Sequence, residues 1–221
     1  LFVGGFVPAL VFGVAVGNAV QGIPIGADKE FQGTTLDLLK PYPLLVGCLA
    51  LATFAMHGAL YLNLKTEGEL QQKIARWQWR AFWAFLVLYL LTTVYTLALV
   101  PLATRNFSSH PWLWAVAVLN VLAIANIPFA ARRNRPLLAF FSSCATIAAL
   151  TFLFGVALFP NLVHSSINPD YSLNAYNAAS SAKTLGIMRT IAFIGVPFVL
   201  AYTAIILWVF RGKVKLNHFS Y

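Results

Sequence analysis

The sequence predicts an all-α, polytopic transmembrane bundle, and three observations carry that expectation. Charged residues make up only 10% of the 221, where a soluble domain carries about 25%. The apolar residues, 60% of the chain, fall into six long runs, each near the length of about 20 residues that a helix needs to cross a bilayer. No run alternates apolar and polar residues over a strand's length, so a β-barrel is excluded. Backbone amides in lipid must bond within their own segment, which leaves α-helices. A soluble enzyme, a disordered chain and a disulfide-stapled mini-protein are all excluded by the same composition.

The spans expected are residues 1–21, 42–63, 81–102, 112–131, 137–160 and 187–210, one transmembrane domain in all. The first holds Gly13 and Gly17, four apart and so on one helix face, where another backbone can approach closely. Asn18 in the same span needs a protein partner. Gly22-Ile-Pro-Ile-Gly26 ends it. In the second span His57-Gly58-Ala59-Leu60-Tyr61 lies near one end. The third is approached through Arg76-Trp77-Gln78-Trp79-Arg80, an aromatic and basic belt. Residues 103–111 are expected to be a short loop that makes spans three and four a hairpin. The fourth and fifth carry Asn120, Asn126, Ser142, Ser143 and Thr146, hydrogen-bonding groups that glue helices together. Residues 161–186 form the longest connection, expected to pack on the outer surface or on a partner. Pro197 lies inside the sixth span. The chain starts with Leu1 inside an apolar run, so upstream spans are expected to be missing.

The net charge of +9 does not indicate nucleic acid, because the basic residues sort by loop instead of gathering on a soluble face. Lys65, Lys73, Arg76, Arg80, Arg132, Arg133, Arg135, Arg211, Lys213 and Lys215 belong to one side; Lys29, Lys40, Arg105, Lys183 and Arg189 belong to the other. The positive-inside rule makes the richer side, with the C-terminus, cytoplasmic.

Catalytic motifs are absent from the sequence: no phosphate loop, no HExxH, no nucleophile elbow. Cys48 and Cys144 lie within spans and are read as small apolar residues, so neither a disulfide nor a metal site is expected. His57 is the one histidine inside a span; His110 and His164 fall at the outer face and His218 in the tail. It is a candidate for haem ligation or a proton relay, though a lone membrane histidine more often hydrogen-bonds a neighbouring helix. The expected helix-packing residues are Gly13, Gly17, Asn18, Gly22 and Gly58.

Several stretches, in order along the chain, resemble subunit II of the cytochrome bd-type ubiquinol oxidases, including their cyanide-insensitive branch. They are Gly13 to Pro24, His57 to Leu62 with Lys65 to Leu70, and Phe141-Ser142-Ser143. Leu158-Phe159-Pro160, Ser172 to Ser181 and Pro197 to Thr203 with Phe210-Arg211-Gly212-Lys213 complete the set. The resemblance implies a bacterial inner-membrane protein of about nine spans, of which the last six are present here. It implies a heterodimer with subunit I, which carries the b- and d-type haems and oxidises quinol with reduction of oxygen to water. It also implies a supporting role for this subunit, with a structural quinone in some members. The acidic residues of the family's proton path belong to its first spans, so none carries over to this chain. The other readings of the residues are half of a secondary transporter, suggested by Pro8, Pro128 and Pro197 beside the span asparagines, and a haem-free membrane scaffold.

Overall fold

The computed structural model describes residues 2–213; Leu1 and residues 214–221, with Lys215 and His218, lie outside the described residues. Seven helices account for most of it: α1 (Phe2–Gln21), α2 (Pro41–Lys65), α3 (Gly68–Leu99), α4 (Pro101–Ser109), α5 (Trp114–Arg132), α6 (Pro136–Leu158) and α7 (Ala182–Val209). All but α4 are long and apolar enough to span a membrane, with α5 extended by a preceding single turn. The chain is therefore a multi-pass membrane protein.

Helix ends follow local chemistry. Proline stands at the first helical position of α2, α4 and α6, where its missing N–H costs nothing. Gly22 closes α1 with φ +96°, a left-handed conformation that favours glycine, and its N–H returns to the Asn18 carbonyl at 2.8 Å. The helices α1, α5 and α7 run unbroken through Pro8, Pro128 and Pro197. The interrupted helices on which the transporter reading relied are not formed.

Two elements differ from the expectation. α3 begins at Gly68, well before the apolar run at Ala81, because nothing between Gly68 and Arg80 breaks a helix. Its 32 residues give a rod of about 48 Å, longer than the roughly 30 Å apolar core, so its first turns stand beyond the membrane. Residues 103–111, expected to be a loop, lie mostly in the helix α4, which runs Pro101–Ser109. α4 has a markedly one-sided face that buries Ala103 and Phe107 and lies across the outer ends of the bundle. Spans three and four are consequently not a tight hairpin: α5 pairs chiefly with α6, and α2 packs against α1, α3 and α6.

The core has two parts. Leu49, Met56, Leu60, Phe82, Phe85, Ile124, Ile127 and Ala139 fill the space among α2, α3, α5 and α6. Val20, Tyr42, Val100, Ala103, Ala157 and Leu158 close its outer end. α7 contributes to neither: none of its 28 residues is buried. Its tie to the rest is at its end, where Lys65 Nζ donates to the carbonyls of Phe210 (2.7 Å) and Gly212 (3.5 Å).

The outer cap joins distant loops. Residues 161–163 (β1) and 173–174 (β2) form a small antiparallel pair. Ile23 N donates to His164 O at 3.0 Å and Ser166 N to Ile23 O at 2.9 Å. Ser165 Oγ donates to Ile25 O at 2.8 Å, and Lys29 Nζ to Asp170 O at 2.7 Å. The first half of segment 161–186 thus packs on the loop after α1.

Candidate functional site

The closest helix contact is built from glycines. A Cβ added to Gly13 would lie 2.6 Å from Gly47 Cα and 2.7 Å from Ala50 Cβ; one added to Gly17 would lie 2.6 Å from Pro43 Cα. Bare backbone on α1 therefore meets bare backbone on α2. Asn18, buried on the next turn, donates from Nδ2 to its own helix at Val14 O (2.9 Å) and to Leu38 O of the following loop (2.8 Å). Gly22 packs its loop, with His164 O and Ser166 N each 3.3 Å from where its Cβ would stand. Gly58 differs. Nothing among the described residues lies within 4 Å of such a Cβ, so the contact expected of it has no partner here.

His57 binds the neighbouring helix α6. Its Nδ1 is 2.8 Å from Ser143 Oγ, which donates its single proton to Phe140 O at 2.7 Å. The imidazole is therefore the donor through Nδ1–H, which leaves Nε2 as an acceptor. The ring stacks on Phe140 at 4.9 Å. Other polar side chains link helices in the same manner. Asn126 Nδ2 donates to Ser142 Oγ at 2.8 Å, joining α5 to α6. Tyr42 OH meets Thr96 Oγ1 at 3.0 Å, and because Thr96 donates to Thr92 O, tyrosine is the donor. Such bonds are worth about 0.6–2 kcal/mol each in a membrane.

Between α1, α2, α3, α4 and α6 lies a mostly apolar cavity of about 530 Å³. Its apolar wall includes Phe12, Leu49, Phe107, Leu150 and Phe154. One side of α3 gives it hydroxyls, from Tyr89, Thr92, Thr93 and Thr96. The Thr92 hydroxyl is buried without a partner, as is the Asn120 carbonyl oxygen beside Tyr89. The spacing 89, 92, 93, 96 places four hydroxyls on one helical face, a pattern visible in the sequence. Asn63 and Gln78, whose amides bond at 2.8 Å, carry no such local signal.

Among the described residues, no group of three His, Cys, Asp or Glu side chains is placed to hold a metal, and Cys48 and Cys144 are unpaired. His110 is exposed, whereas His164 is buried in the outer cap at 7% exposure with Nδ1 unpartnered. Burial holds the His164 imidazole below the ordinary histidine range, against the opposing hydrogen bonds to the Ala19 and Val20 carbonyls. The folded chain thus resists protonating it, while the unfolded chain takes up a proton below about pH 6.5. Stability is fully present above that pH and falls on acidification towards the lower folded value. Hydrogen-exchange protection in segments 22–31 and 161–175, taken relative to the intrinsic rate at each pH, is expected to fall below about pH 6, and His164→Gln is expected to flatten that dependence.

The family described as cytochrome bd terminal oxidase subunit II matches residues 1–210. The chain belongs to that family. Cytochrome bd-I ubiquinol oxidase subunit 2 of Escherichia coli K12 is 32% identical over 97% of this chain and 64% of its own length. Probable cytochrome oxidase subunit 2 of Haemophilus influenzae is 33% identical over 92% of the chain and 61% of its length. Cytochrome bd ubiquinol oxidase subunit 2 of Bacillus subtilis is 26% identical over 97% and 63%. The chain thus spans somewhat less than two thirds of these relatives. The family's description is that of one subunit of a cytochrome bd terminal oxidase.

Proposed function

We infer that this chain is the supporting half of a bd-type terminal oxidase that oxidises quinol and reduces oxygen to water in a bacterial plasma membrane. The observation that carries the reading is the family match along 210 residues. Its partner is subunit I, which holds the b- and d-type haems. α7, with no buried residue, supports the presence of such a partner by leaving a whole helix for other protein to cover. The basic end, with the last described residues, faces the cytoplasm, as the charge asymmetry supports. The test is a reduced-minus-oxidised spectrum of the complex purified through this chain, with quinol-dependent oxygen uptake. Bands of b- and d-type haem with uptake are expected; a haem-free, inactive preparation overturns the reading.

Within the complex, the apolar cavity is the fitting place for a structural quinone. Its volume lies in the range of ligand pockets. Its apolar wall suits a prenyl chain, and the unpartnered Thr92 hydroxyl supplies a donor for a ring carbonyl. A quinone there would brace α1, α2, α3 and α6 without turning over. Thr92→Val keeps the shape and removes the donor. It is expected to lower quinone retained by the purified complex about tenfold, measured by extraction and chromatography, and to leave the haem bands intact.

The His57 imidazole acts in packing, holding α2 to α6 through Ser143, and does not ligate haem. His57→Ala is expected to retain both classes of haem band with a modest loss of thermal stability, about 1–2 kcal/mol. Disappearance of one band in the spectrum would reassign it as an iron ligand.

A further inference from the structure

At the basic end of the bundle lies a second cavity, of about 520 Å³. It is enclosed by the start of α3, the end of α2 and the turn joining α5 to α6. Unlike the first it is polar, with walls that include Asn63, Gln71, Gln72, Gln78, Asn134 and Lys213. Its one formally charged wall group is a cation, and the amides add N–H donors.

The deepest of these is Gln78, at 4% exposure. Its Oε1 accepts from Asn63 Nδ2 at 2.8 Å, and its Nε2 has no acceptor among the described residues. Turning both amides over would exchange their roles and free the Asn63 amino group instead. In either arrangement an N–H donor on the cavity wall is left for a ligand. Gln71 Nε2 spends only one of its protons, on Asn63 O at 3.1 Å.

A second feature points the same way. Pro136 and Ala139, from the first turn of α6, line the cavity, so the positive end of a 23-residue helix borders it. Arg132 stacks over the Trp79 ring at 5.5 Å, and Arg133 and Arg135 lie in the same turn. Among the described residues the Lys213 ammonium is engaged by Glu67 alone, at 3.8 Å, with both side chains half exposed. A pair so placed is weak, so the ammonium can turn to another anion.

We propose that this cavity binds the phosphate group of an anionic phospholipid. A soluble phosphate offers the same chemistry. The lipid is favoured because the cavity sits at the belt of Trp77, Trp79 and Trp83, where headgroups lie. Exposed Trp83, Val87, Leu90 and Leu91 continue along α3 as an apolar track for acyl chains. The proposal needs only a membrane setting and stands apart from the oxidase reading.

The test uses the protein extracted in detergent with its native partners and stripped of lipid. It is titrated with dioleoylphosphatidylglycerol, with the zwitterionic phosphatidylcholine, and with phosphatidylglycerol in the presence of excess inorganic phosphate. Bound lipid is read by native mass spectrometry. One phosphatidylglycerol is expected to bind at least about tenfold more tightly than phosphatidylcholine. Gln78→Glu retains the oxygen that Asn63 uses but replaces the free amino group with negative charge. It is expected to weaken that lipid about tenfold. Asn134→Gly, which suits the left-handed backbone of that exposed residue (φ +51°) and leaves the Asn63–Gln78 pair alone, is expected to weaken it less. Competition by inorganic phosphate overturns the lipid as the source. Wild-type lipid affinity in both variants, or equal binding of the two lipids, overturns the site.

Discussion

Gly13→Ala is expected to break the assembly although it adds a single methyl group. That methyl would stand 2.6 Å from Gly47 Cα and 3.0 Å from Val46 O, backbone atoms that no rotamer change can move. α1 must therefore shift away from α2 along its length, which parts the Gly17–Pro43 contact as well. Overpacking of this kind costs about 1–3 kcal/mol, and Gly13→Leu should exceed that range. The displacement also strains Asn18, whose amide reaches Leu38 O across the same interface. Recovered haem per unit of this chain should fall severalfold in the alanine variant and nearly vanish in the leucine variant. Gly155→Ala is the control: nothing stands within 4 Å of that position, so recovery and thermal midpoint should be retained. Equal recovery from Gly13→Ala and Gly155→Ala would remove the packing role.

The second large effect concerns α7. A chain ended at Ser181 loses 28 helical residues, yet none of them is buried against the rest. The five-span body should therefore insert and resist proteolysis much as the full chain does. On the proposed function, its recovery of subunit I should fall to background, because the helix assigned to that contact has gone. Co-purification from membranes, with limited proteolysis alongside, separates the two results. Full partner recovery by the shortened chain would mean that α7 faces lipid alone.

Much of this architecture was legible. The six apolar runs give six spans because in lipid a backbone can satisfy itself only as a helix. The glycines four apart in α1 marked a contact face, but not its counterpart: Gly47 and Pro43 are distant in sequence, and no local pattern names them. α4 was read as a loop because hydropathy detects spans, whereas a nine-residue surface helix is marked by one-sidedness and by Pro101 at its start. The start of α3 was missed for the same reason, since Gly68–Arg80 is polar yet lacks a helix breaker. The four hydroxyls from Tyr89 to Thr96 could be placed on one face, but that they border a cavity depends on α1 and α6 arriving there. The isolation of α7 had no sequence signal, because apolar side chains suit lipid and protein neighbours alike.

That isolation bears on how the molecule is made. A nascent copy threads α7 into the bilayer after its other described spans, and among the described residues the side chains that hold its end are Lys65, on two terminal carbonyls, and Lys213, paired with Glu67. Among the described residues the rod is thus moored at one end, and along its length every side chain is left for lipid or another protein to cover.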